Sequence, residues 1–170
     1  MTKPTLNIGL IGSGFMGQAH ADAFRRARML YPNLPMVPHL YCLADANDEL
    51  AAKAAARFGF ETSTGDWRKM INDPKVDVVD ITSPNHLHCE MALAAIEAGK
   101  HVYCEKPLAV TLEEAERMAA AAERKGVKTL VAFNNIKTPA ALLAKQLIER
   151  GDIGTPTRFR AWFDQGFFND

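Results

Sequence analysis

The chain has 170 residues, a length that fits one domain, or one domain and the start of a second. Its 20 Lys and Arg balance 20 Asp and Glu, so net charge offers no footprint for nucleic acid and no basic patch for a membrane. No apolar run approaches the roughly 20 residues of a spanning helix, and the polar start lacks the apolar stretch of a signal peptide. The odd count of three cysteines favours reduced thiols in a cytoplasmic protein.

Apolar strands and amphipathic helices alternate along the chain. Strands are predicted over residues 7–11, 40–44, 76–82, 100–105 and 127–134, where short apolar runs end at glycines or polar residues. Helices are predicted over 15–30, 48–58, one turn around Trp67, 86–98 and 112–125, the last opened by a capping box of Thr111 and Glu114. Such alternation predicts the α/β class, as a Rossmann-type doubly wound parallel sheet covered on both faces.

The character of the sequence changes after Asn134. A helix is predicted over 139–150, and residues 157–168 alternate and carry five aromatic side chains, which indicates a strand. We expect residues 1–134 to form the parallel-sheet domain and residues 135–170 to be the truncated start of an α+β domain. With no later segment to pair with, the aromatic strand would be an exposed edge, so we expect the chain to be a fragment.

A glycine loop, Gly12-Ser-Gly14-Phe-Met-Gly17, joins the first strand to the first helix. Gly12 allows a tight turn, Gly14 lets the backbone approach a pyrophosphate, and Gly17 lets the helix pack closely on the strand. Free N–H groups at the start of the helix, around Phe15 and Met16, would bind phosphate oxygens. The pattern predicts a dinucleotide site, and a glycine-rich turn without a ligand is the alternative.

Asp45 ends the second predicted strand, where an acidic residue binds the ribose hydroxyls of adenosine in such domains. It lies 28 residues after Gly17 rather than about 20, and an insertion over residues 32–38 accounts for the difference. A carboxylate repels a 2′-phosphate and no Arg follows directly, so NAD is the expected cofactor, with NADP possible. The alternative role for Asp45 is an ordinary cap of the next helix.

Two further polar motifs follow predicted strands: Thr82-Ser-Pro-Asn-His-Leu-His88 and Glu105-Lys-Pro107. Both would lie at the carboxyl ends of strands, where open α/β sheets bind their ligands. A lysine beside a substrate hydroxyl stabilises the alkoxide that develops as a hydride leaves the carbinol carbon. Lys106 is therefore the candidate catalytic residue, and a surface lysine after a strand is the alternative.

These motifs are accompanied by Gly99-Lys-His-Val-Tyr-Cys-Glu-Lys-Pro107, Ala132-Phe-Asn134 and Gly151-Asp-Ile-Gly154. Their order resembles that of the glucose–fructose oxidoreductase and inositol dehydrogenase family (Gfo/Idh/MocA), over essentially the whole chain. The resemblance implies an NAD(P)-dependent oxidoreductase that moves a hydride between nicotinamide and a secondary alcohol of a sugar or inositol-like polyol. Residues 1–134 would bind the cofactor, and residues 135–170 would begin a C-terminal substrate and oligomerisation domain.

The resemblance also implies roles for single residues. It places cofactor contacts after the later strands, at Ser83, Pro84, Asn85, His88, Glu105, Lys106 and Asn134. Glu105 would lie beside the nicotinamide ribose, and Lys106, after a cis bond to Pro107, would reach the substrate hydroxyl. The alternatives are that Glu105 orders Lys106 and that His88 starts a helix and bonds to backbone. His20, on the first helix, is interpreted as structural.

Two departures from the family limit what the chain can do. Lys137 stands where members often carry an Arg and lacks its planar fork, which puts a substrate contact there in doubt. With the second domain incomplete, the chain alone should bind dinucleotide but turn over poorly. The acid–base His and the surface of a homo-oligomer would lie in the missing part.

Other functions are weighed against this one. A non-catalytic dinucleotide sensor on the same fold is the main alternative, and a methyltransferase-like α/β protein ranks last. No metal is expected, because the spacing of the candidate ligands matches no zinc pattern: His86, His88, Cys89, His101 and Cys104. The expected partner is a small sugar or polyol, with neither nucleic acid nor membrane.

Overall fold

The computed structural model describes residues 3–162, in two compact units, Met1–Ala132 and Phe133–Asp170. The first unit is built on a sheet of six strands: β1 (Thr5–Ile11), β2 (Val37–Ala44), β3 (Thr62–Thr64), β4 (Val78–Ile81), β5 (His101–Cys104) and β6 (Thr129–Val131). All neighbours pair in parallel, in the order β3-β2-β1-β4-β5-β6. This is the strand order of a Rossmann sheet, so the predicted fold class is confirmed.

Five α-helices connect the strands: α1 (Phe15–Leu30), α2 (Asp48–Phe58), α3 (Trp67–Asn72), α4 (His88–Glu97) and α5 (Leu112–Lys125). One apolar core joins α1 and α2 to the sheet and includes Leu10, Leu43, Ala51 and Phe58. A second core lies beneath α3, α4 and α5 and includes Met70, Val79, Ala92 and Met118. The sheet therefore carries helices on both faces, as βαβ crossovers require.

The helix ends follow the sequence signals closely. The Asn47 side chain accepts from the Leu50 N–H at the start of α2, and Gly59 ends that helix with a φ of 83°. Thr111 and Glu114 form the predicted capping box of α5. Each cap satisfies backbone groups that a helix end leaves without partners, which fixes where the helix begins or ends.

The connection pattern opens a crevice at the middle of the sheet. The chain leaves β1 toward β2 on one side, whereas it leaves β4 toward β5 on the other. The Thr82 N–H still donates to the Ile11 carbonyl at 2.9 Å, so the two strands stay joined up to their carboxyl ends. Loops diverging from adjacent parallel strands leave the space in which such sheets bind ligands.

Apart from shifts in strand bounds, the structure differs from the predicted elements at β3 and in the aromatic segment. Strand β3, which is short, polar and at the sheet edge, has no apolar signal and was predicted only as a turn. Residues 157–162 of the predicted aromatic strand have no strand structure, and residues 163–168 lie outside the described part. A strand needs a hydrogen-bonding neighbour, and the described part of the second unit contains no other strand.

The second unit holds a 3-10 helix (Asn134–Lys137) followed by α6 (Pro139–Glu149). The Thr138 side chain caps α6 by accepting from the Ala141 N–H, and Pro139 occupies the first turn, where its missing N–H costs nothing. Over residues 3–162, no helix combines the length and apolar character needed to cross a membrane. The same residues contain no cluster of three His, Cys, Asp or Glu that could hold a metal ion.

Candidate functional site

Two glycines of the loop between β1 and α1 are required by the protein itself. Gly12 has a φ of 97°, and a Cβ built on it would lie 3.0 Å from the Thr82 carbonyl oxygen. A Cβ on Gly17 would lie only 2.1 Å from the Gly12 carbonyl oxygen. The Thr82 hydroxyl completes this packing by donating toward the Ile11 and Gly12 carbonyls at 3.0 and 2.8 Å. The start of α1 is thus held tightly against the ends of β1 and β4.

Gly14 has a different environment. Apart from its chain neighbours and helix backbone, no atom of the described residues lies within 4 Å of a Cβ built there. No side chain in residues 3–162 caps α1, whose first turn carries no acidic group. The N–H groups of that turn have no partner within the helix, and the helix dipole is positive there. The open space at Gly14 therefore fits a diphosphate, which an added Cβ would obstruct.

Asp45, at the end of β2, reaches the glycine loop. One carboxylate oxygen accepts from the Ser13 N–H at 2.9 Å and from the Ser13 hydroxyl, and the other accepts from the Ala46 N–H at 2.7 Å. The cap of α2 is Asn47, so Asp45 does not serve as the helix cap that was the alternative. The carboxylate lies beside the phosphate cradle, where a ribose acceptor is needed.

The loop after β4 presents exposed residues at the same edge of the sheet. Pro84 and Asn85 are exposed, and Asn85 begins a 3-10 helix (Asn85–Leu87) that leads into α4. The Ser83 hydroxyl contacts the Met91 sulfur at 3.3 Å. These predicted cofactor residues thus adjoin the crevice, whereas Asn134 begins the second unit and its cofactor contact stays a prediction.

His88 has a role that differs from the cofactor contact implied for it. Its side chain is fully buried, with Nδ1 2.8 Å from the Pro107 carbonyl oxygen and Nε2 2.9 Å from the Ser83 carbonyl oxygen. A buried ring with both nitrogens facing backbone carbonyls has no polar atom left for a ligand. The His88 side chain instead ties the loop after β4 to the loop after β5, as its alternative interpretation held.

The loop after β5 presents Lys106 to solvent. The peptide bond between Lys106 and Pro107 is cis, as the resemblance implied. Glu105 is 6% exposed, and its Oε2 accepts from the Lys106 N–H at 2.9 Å. Glu105 therefore orders the Lys106 backbone, and the lysine side chain stays exposed at the carboxyl edge of the sheet.

A buried group of ionisable residues beneath this loop escaped the sequence analysis. His20 Nδ1 lies 3.0 Å from both carboxylate oxygens of Asp80, and Nε2 lies 3.1 Å from Oε1 of Glu105. Tyr103 stacks on the His20 ring, with centroids 4.9 Å apart. The one available signal was Asp80, a carboxylate in an otherwise apolar strand, since such a group needs a buried partner.

The pKa values of the group reflect burial opposed by hydrogen bonds. Burial lowers the pKa of His20, but the hydrogen bonds and charges of Asp80 and Glu105 outweigh it and leave that pKa above 6.5. Burial raises the pKa of Asp80, although the His20 hydrogen bond opposes the rise. Both directions mean that the pair holds its proton more tightly than the separate groups would in water.

The sheet order, the open diphosphate cradle and the ordered loop at Lys106 together define a nicotinamide-dinucleotide-binding Rossmann domain. The chain belongs to the Gfo/Idh/MocA oxidoreductase family with an NAD-binding Rossmann fold, whose sequence model matches residues 6–133. NAD is the cofactor of that domain type, in agreement with the prediction. The family resemblance found in the motifs is thereby confirmed.

Similar proteins extend beyond the length of this chain. Levoglucosan dehydrogenase of Pseudarthrobacter phenanthrenivorans is 53% identical over 165 residues, which are 97% of this chain and 42% of that protein. A crystal structure of an NAD binding oxidoreductase from Klebsiella pneumoniae has a TM-score of 0.95 and 72% identity, covering 98% of this chain and 44% of that one. A levoglucosan dehydrogenase in complex with NADH and levoglucosan has a TM-score of 0.87 and 55% identity, covering 88% and 40%. The chain therefore spans less than half the length of each.

Proposed function

We propose that the chain is the cofactor-binding part of an NAD-dependent dehydrogenase acting on a secondary alcohol of a sugar or inositol-like polyol. The observation that carries the proposal is the position of two features at the same edge of the sheet. The open cradle at Gly14 and the exposed Lys106 follow β1 and β5, at the carboxyl edge of one sheet. A dinucleotide sensor needs the cradle, but it has no need of a lysine ordered at that edge.

Each residue has a defined task in this proposal. The N-terminus of α1 holds the diphosphate, and Asp45 accepts hydrogen bonds from the adenosine ribose hydroxyls. Lys106 sits against the substrate hydroxyl, stabilises the developing alkoxide and takes part in its proton transfer. Bound NAD supplies the ring that accepts the hydride. Ser83, Pro84 and Asn85 line the path between the two ends of the cofactor.

The similar proteins indicate which substrate to test first. A protein named for levoglucosan is 53% identical to this chain over 165 aligned residues, so an anhydro sugar is the first candidate. A cyclic polyol such as inositol is the second, because the family resemblance includes inositol dehydrogenases. NAD is preferred to NADP in this proposal, since the Asp45 carboxylate would repel a 2′-phosphate.

The extent of the chain bears on turnover. Because it spans 42% of levoglucosan dehydrogenase, we propose that these 170 residues bind NADH but need further residues to bind sugar. Assembly into a homo-oligomer would also involve those residues. Titration of this chain with NADH should give saturable binding, and addition of NAD with sugar should give no reduced nicotinamide.

A cytoplasmic location is part of the proposal and rests on the cysteines. Cys42, Cys89 and Cys104 are all free and buried. Burial, with the nearby Asp80 and Glu105, raises the pKa of Cys104 to about 12, which keeps its thiol protonated. Such cysteines suit a reducing compartment. Trapping thiols directly from cells should find Cys42, Cys89 and Cys104 all reduced, and a disulfide at any of them would contradict this location.

The catalytic part of the proposal is tested with the protein expressed from the longest reading frame that contains this sequence. With NAD and levoglucosan, or a panel of cyclic polyols, wild-type protein should produce reduced nicotinamide. Lys106→Ala should lower kcat by about 100-fold or more, because the alkoxide loses its cation, while NADH affinity stays within about threefold. Lys53→Ala, at an exposed position of α2, is the matched control. Full turnover in Lys106→Ala would remove the lysine from the mechanism.

A further inference from the structure

We propose that His20 is a positioning residue for Lys106, acting through Glu105 and held by Asp80. The proposal rests on the function proposed above and extends it to a residue on the phosphate-binding helix. It links the element that holds the diphosphate to the loop that presents the lysine. His20 has no place in the binding or chemical roles already assigned, so its burial between two carboxylates needs its own explanation.

The first link joins α1 to β4. Asp80 is fully buried within β4, and both of its oxygens lie 3.0 Å from His20 Nδ1. A carboxylate can only accept, so Nδ1 carries a proton and the ring cannot flip without losing that bond. Asp80 therefore fixes the orientation of the ring and directs Nε2 toward the loop after β5.

The second link joins the ring to the lysine. His20 Nε2 lies 3.1 Å from Oε1 of Glu105, and Oε2 of the same carboxylate accepts from the Lys106 N–H at 2.9 Å. Each Glu105 oxygen thus has its own partner, one on each side. A carboxylate bonded at both oxygens by a fixed ring and a backbone N–H has one orientation, and this orientation sets the Lys106 backbone.

Charge on the ring holds the arrangement together. With carboxylates at both nitrogens, the ring donates twice, which only the imidazolium form can do. The ionisable groups that face it are Asp80 from β4, Glu105 after β5 and Tyr103 from β5, whose ring stacks at 4.9 Å. Although burial lowers it, the pKa of His20 is raised from its ordinary value by the hydrogen bonds and charges of Asp80 and Glu105, which is the same direction.

The group gives orientation rather than much stability. Removing ionised groups from water costs about as much as their attraction returns, so a buried ion triad adds little net folding free energy. What it adds is directional, since hydrogen bonds have fixed geometry and apolar contacts do not. Every buried side-chain nitrogen and oxygen in residues 3–162 has a hydrogen-bond partner, so the triad is fully satisfied.

The link is tested first without turnover, in this chain as it stands. Amide hydrogen exchange should show Lys106 protected in the wild type, and His20→Gln should speed its exchange by about tenfold or more. The Ala132 N–H, which donates to the Cys104 carbonyl at 2.9 Å, is the reference amide and should change little. Equally faster exchange at the Lys106 and Ala132 amides, or faster exchange at neither, would overturn the proposal. Nitrogen NMR should also find both His20 ring nitrogens protonated at pH 7, and a neutral ring would contradict it.

The effect of this link on kcat is measured with the protein expressed from the longest reading frame that contains this sequence. His20→Gln and Glu105→Gln should each lower kcat by about tenfold or more while NADH affinity stays within about threefold, and their combined effect should be smaller than the product of the two. His39→Gln, which breaks an exposed pair with Glu61 of 2.8 Å, is the matched control. A double variant whose loss of kcat equals the product of the two single losses, or a parallel loss of NADH affinity, would contradict positioning through Glu105.

The two proposals fail differently. If no sugar or polyol is oxidised by the wild type, the proposed function fails, while the exchange rate at Lys106 still decides whether His20 orders the loop. If His20→Gln does not fold, Glu105→Gln tests the same link, because glutamine keeps the volume of the side chain but has a single acceptor oxygen and cannot accept from both His20 and Lys106. A Glu105→Gln variant with unchanged exchange at Lys106 would overturn the proposal.

Discussion

At the scale of single residues, the three glycines of the loop differ in what they face. Gly12 and Gly17 face the protein, where an added Cβ would meet backbone atoms at 3.0 and 2.1 Å. Gly14 faces open space. A substitution at Gly14 should therefore affect the ligand, and one at Gly17 should affect the fold, which makes the pair a controlled comparison.

Gly14→Val should fold normally and lose NADH binding. The valine side chain would occupy the space of the diphosphate, so calorimetry should show affinity lower by about 100-fold or more, equivalent to roughly 3 kcal/mol. Gly17→Val should instead lower the unfolding temperature, because its Cβ clashes with the Gly12 carbonyl. Unchanged NADH affinity in Gly14→Val would contradict the placement of the diphosphate.

Asp45→Ala should narrow the preference for NADH over NADPH. The variant loses both the acceptor for the ribose hydroxyls and the charge that repels a 2′-phosphate, a change of about tenfold in the ratio of the two dissociation constants. Because Asp45 also bonds to Ser13, Ser13→Ala serves as the control for loop geometry. An unaltered ratio in Asp45→Ala would assign ribose recognition elsewhere.

The sequence was informative where a residue's role depends on its near neighbours. The glycine loop, Asp45 and the Lys106 loop carry local motifs, and each lies at the predicted strand end. The triad of His20, Asp80 and Glu105 spans residues 60 and 85 positions apart, so no local pattern reveals it. His88 shows the converse, because a histidine in a polar motif proved to be buried among backbone carbonyls.

At the scale of elements, the capping signals predicted helices better than apolar runs predicted strands. The predicted helix over 112–125 matches α5 at both ends, since Thr111 carries the start signal and Gly126 the stop signal. The strand predicted over 127–134 is only Thr129–Val131. Apolar residues continue past the last ladder hydrogen bond, and the sequence does not show where pairing stops. Strand β3 was missed because its three residues are polar.

Thr111→Ala should lower the free energy of unfolding by about 1 kcal/mol, because the Glu114 N–H loses its acceptor at the start of α5. Thr111→Ser keeps the hydroxyl and should behave like the wild type. Thr157→Ala, at an exposed position outside helices and strands, should also change little. Urea titration measures all three, and equal stability of the Ala and Ser variants would show that the cap contributes nothing.

At the scale of the whole molecule, topology follows from the order of elements. Strands joined by helices must run parallel, and right-handed crossovers with two covered faces leave few arrangements. The position of the crevice was therefore predictable from the sequence. The polar edge strand β3 and the absence of a strand over residues 157–162 were not, because they depend on partners that the local sequence does not specify.

Global stability should depend on pH through His20. Its pKa in the folded protein lies above 6.5, so the stability it contributes is present below pH 6.5 and is lost as pH rises through the folded value. From pH 6.5 toward 9.0, where cysteines of the unfolded chain begin to ionise, the free energy of unfolding should fall by at most about 1.4 kcal/mol per pH unit.

Urea titrations across this range measure the slope. The slope should be smaller in His20→Gln, which has no group to titrate at that position, while His39→Gln should retain it. Identical slopes for wild type and His20→Gln would show that folding does not raise the pKa of the His20 ring.

The polar edge strand β3 has a consequence for association. Its three residues, Thr62, Ser63 and Thr64, offer another chain few backbone hydrogen-bonding groups and little apolar surface. Edge-to-edge aggregation of sheets needs a long, flat, apolar edge strand, and β3 is short and polar. The β3 edge should therefore not promote aggregation, and any association of the domain would have to use other surfaces.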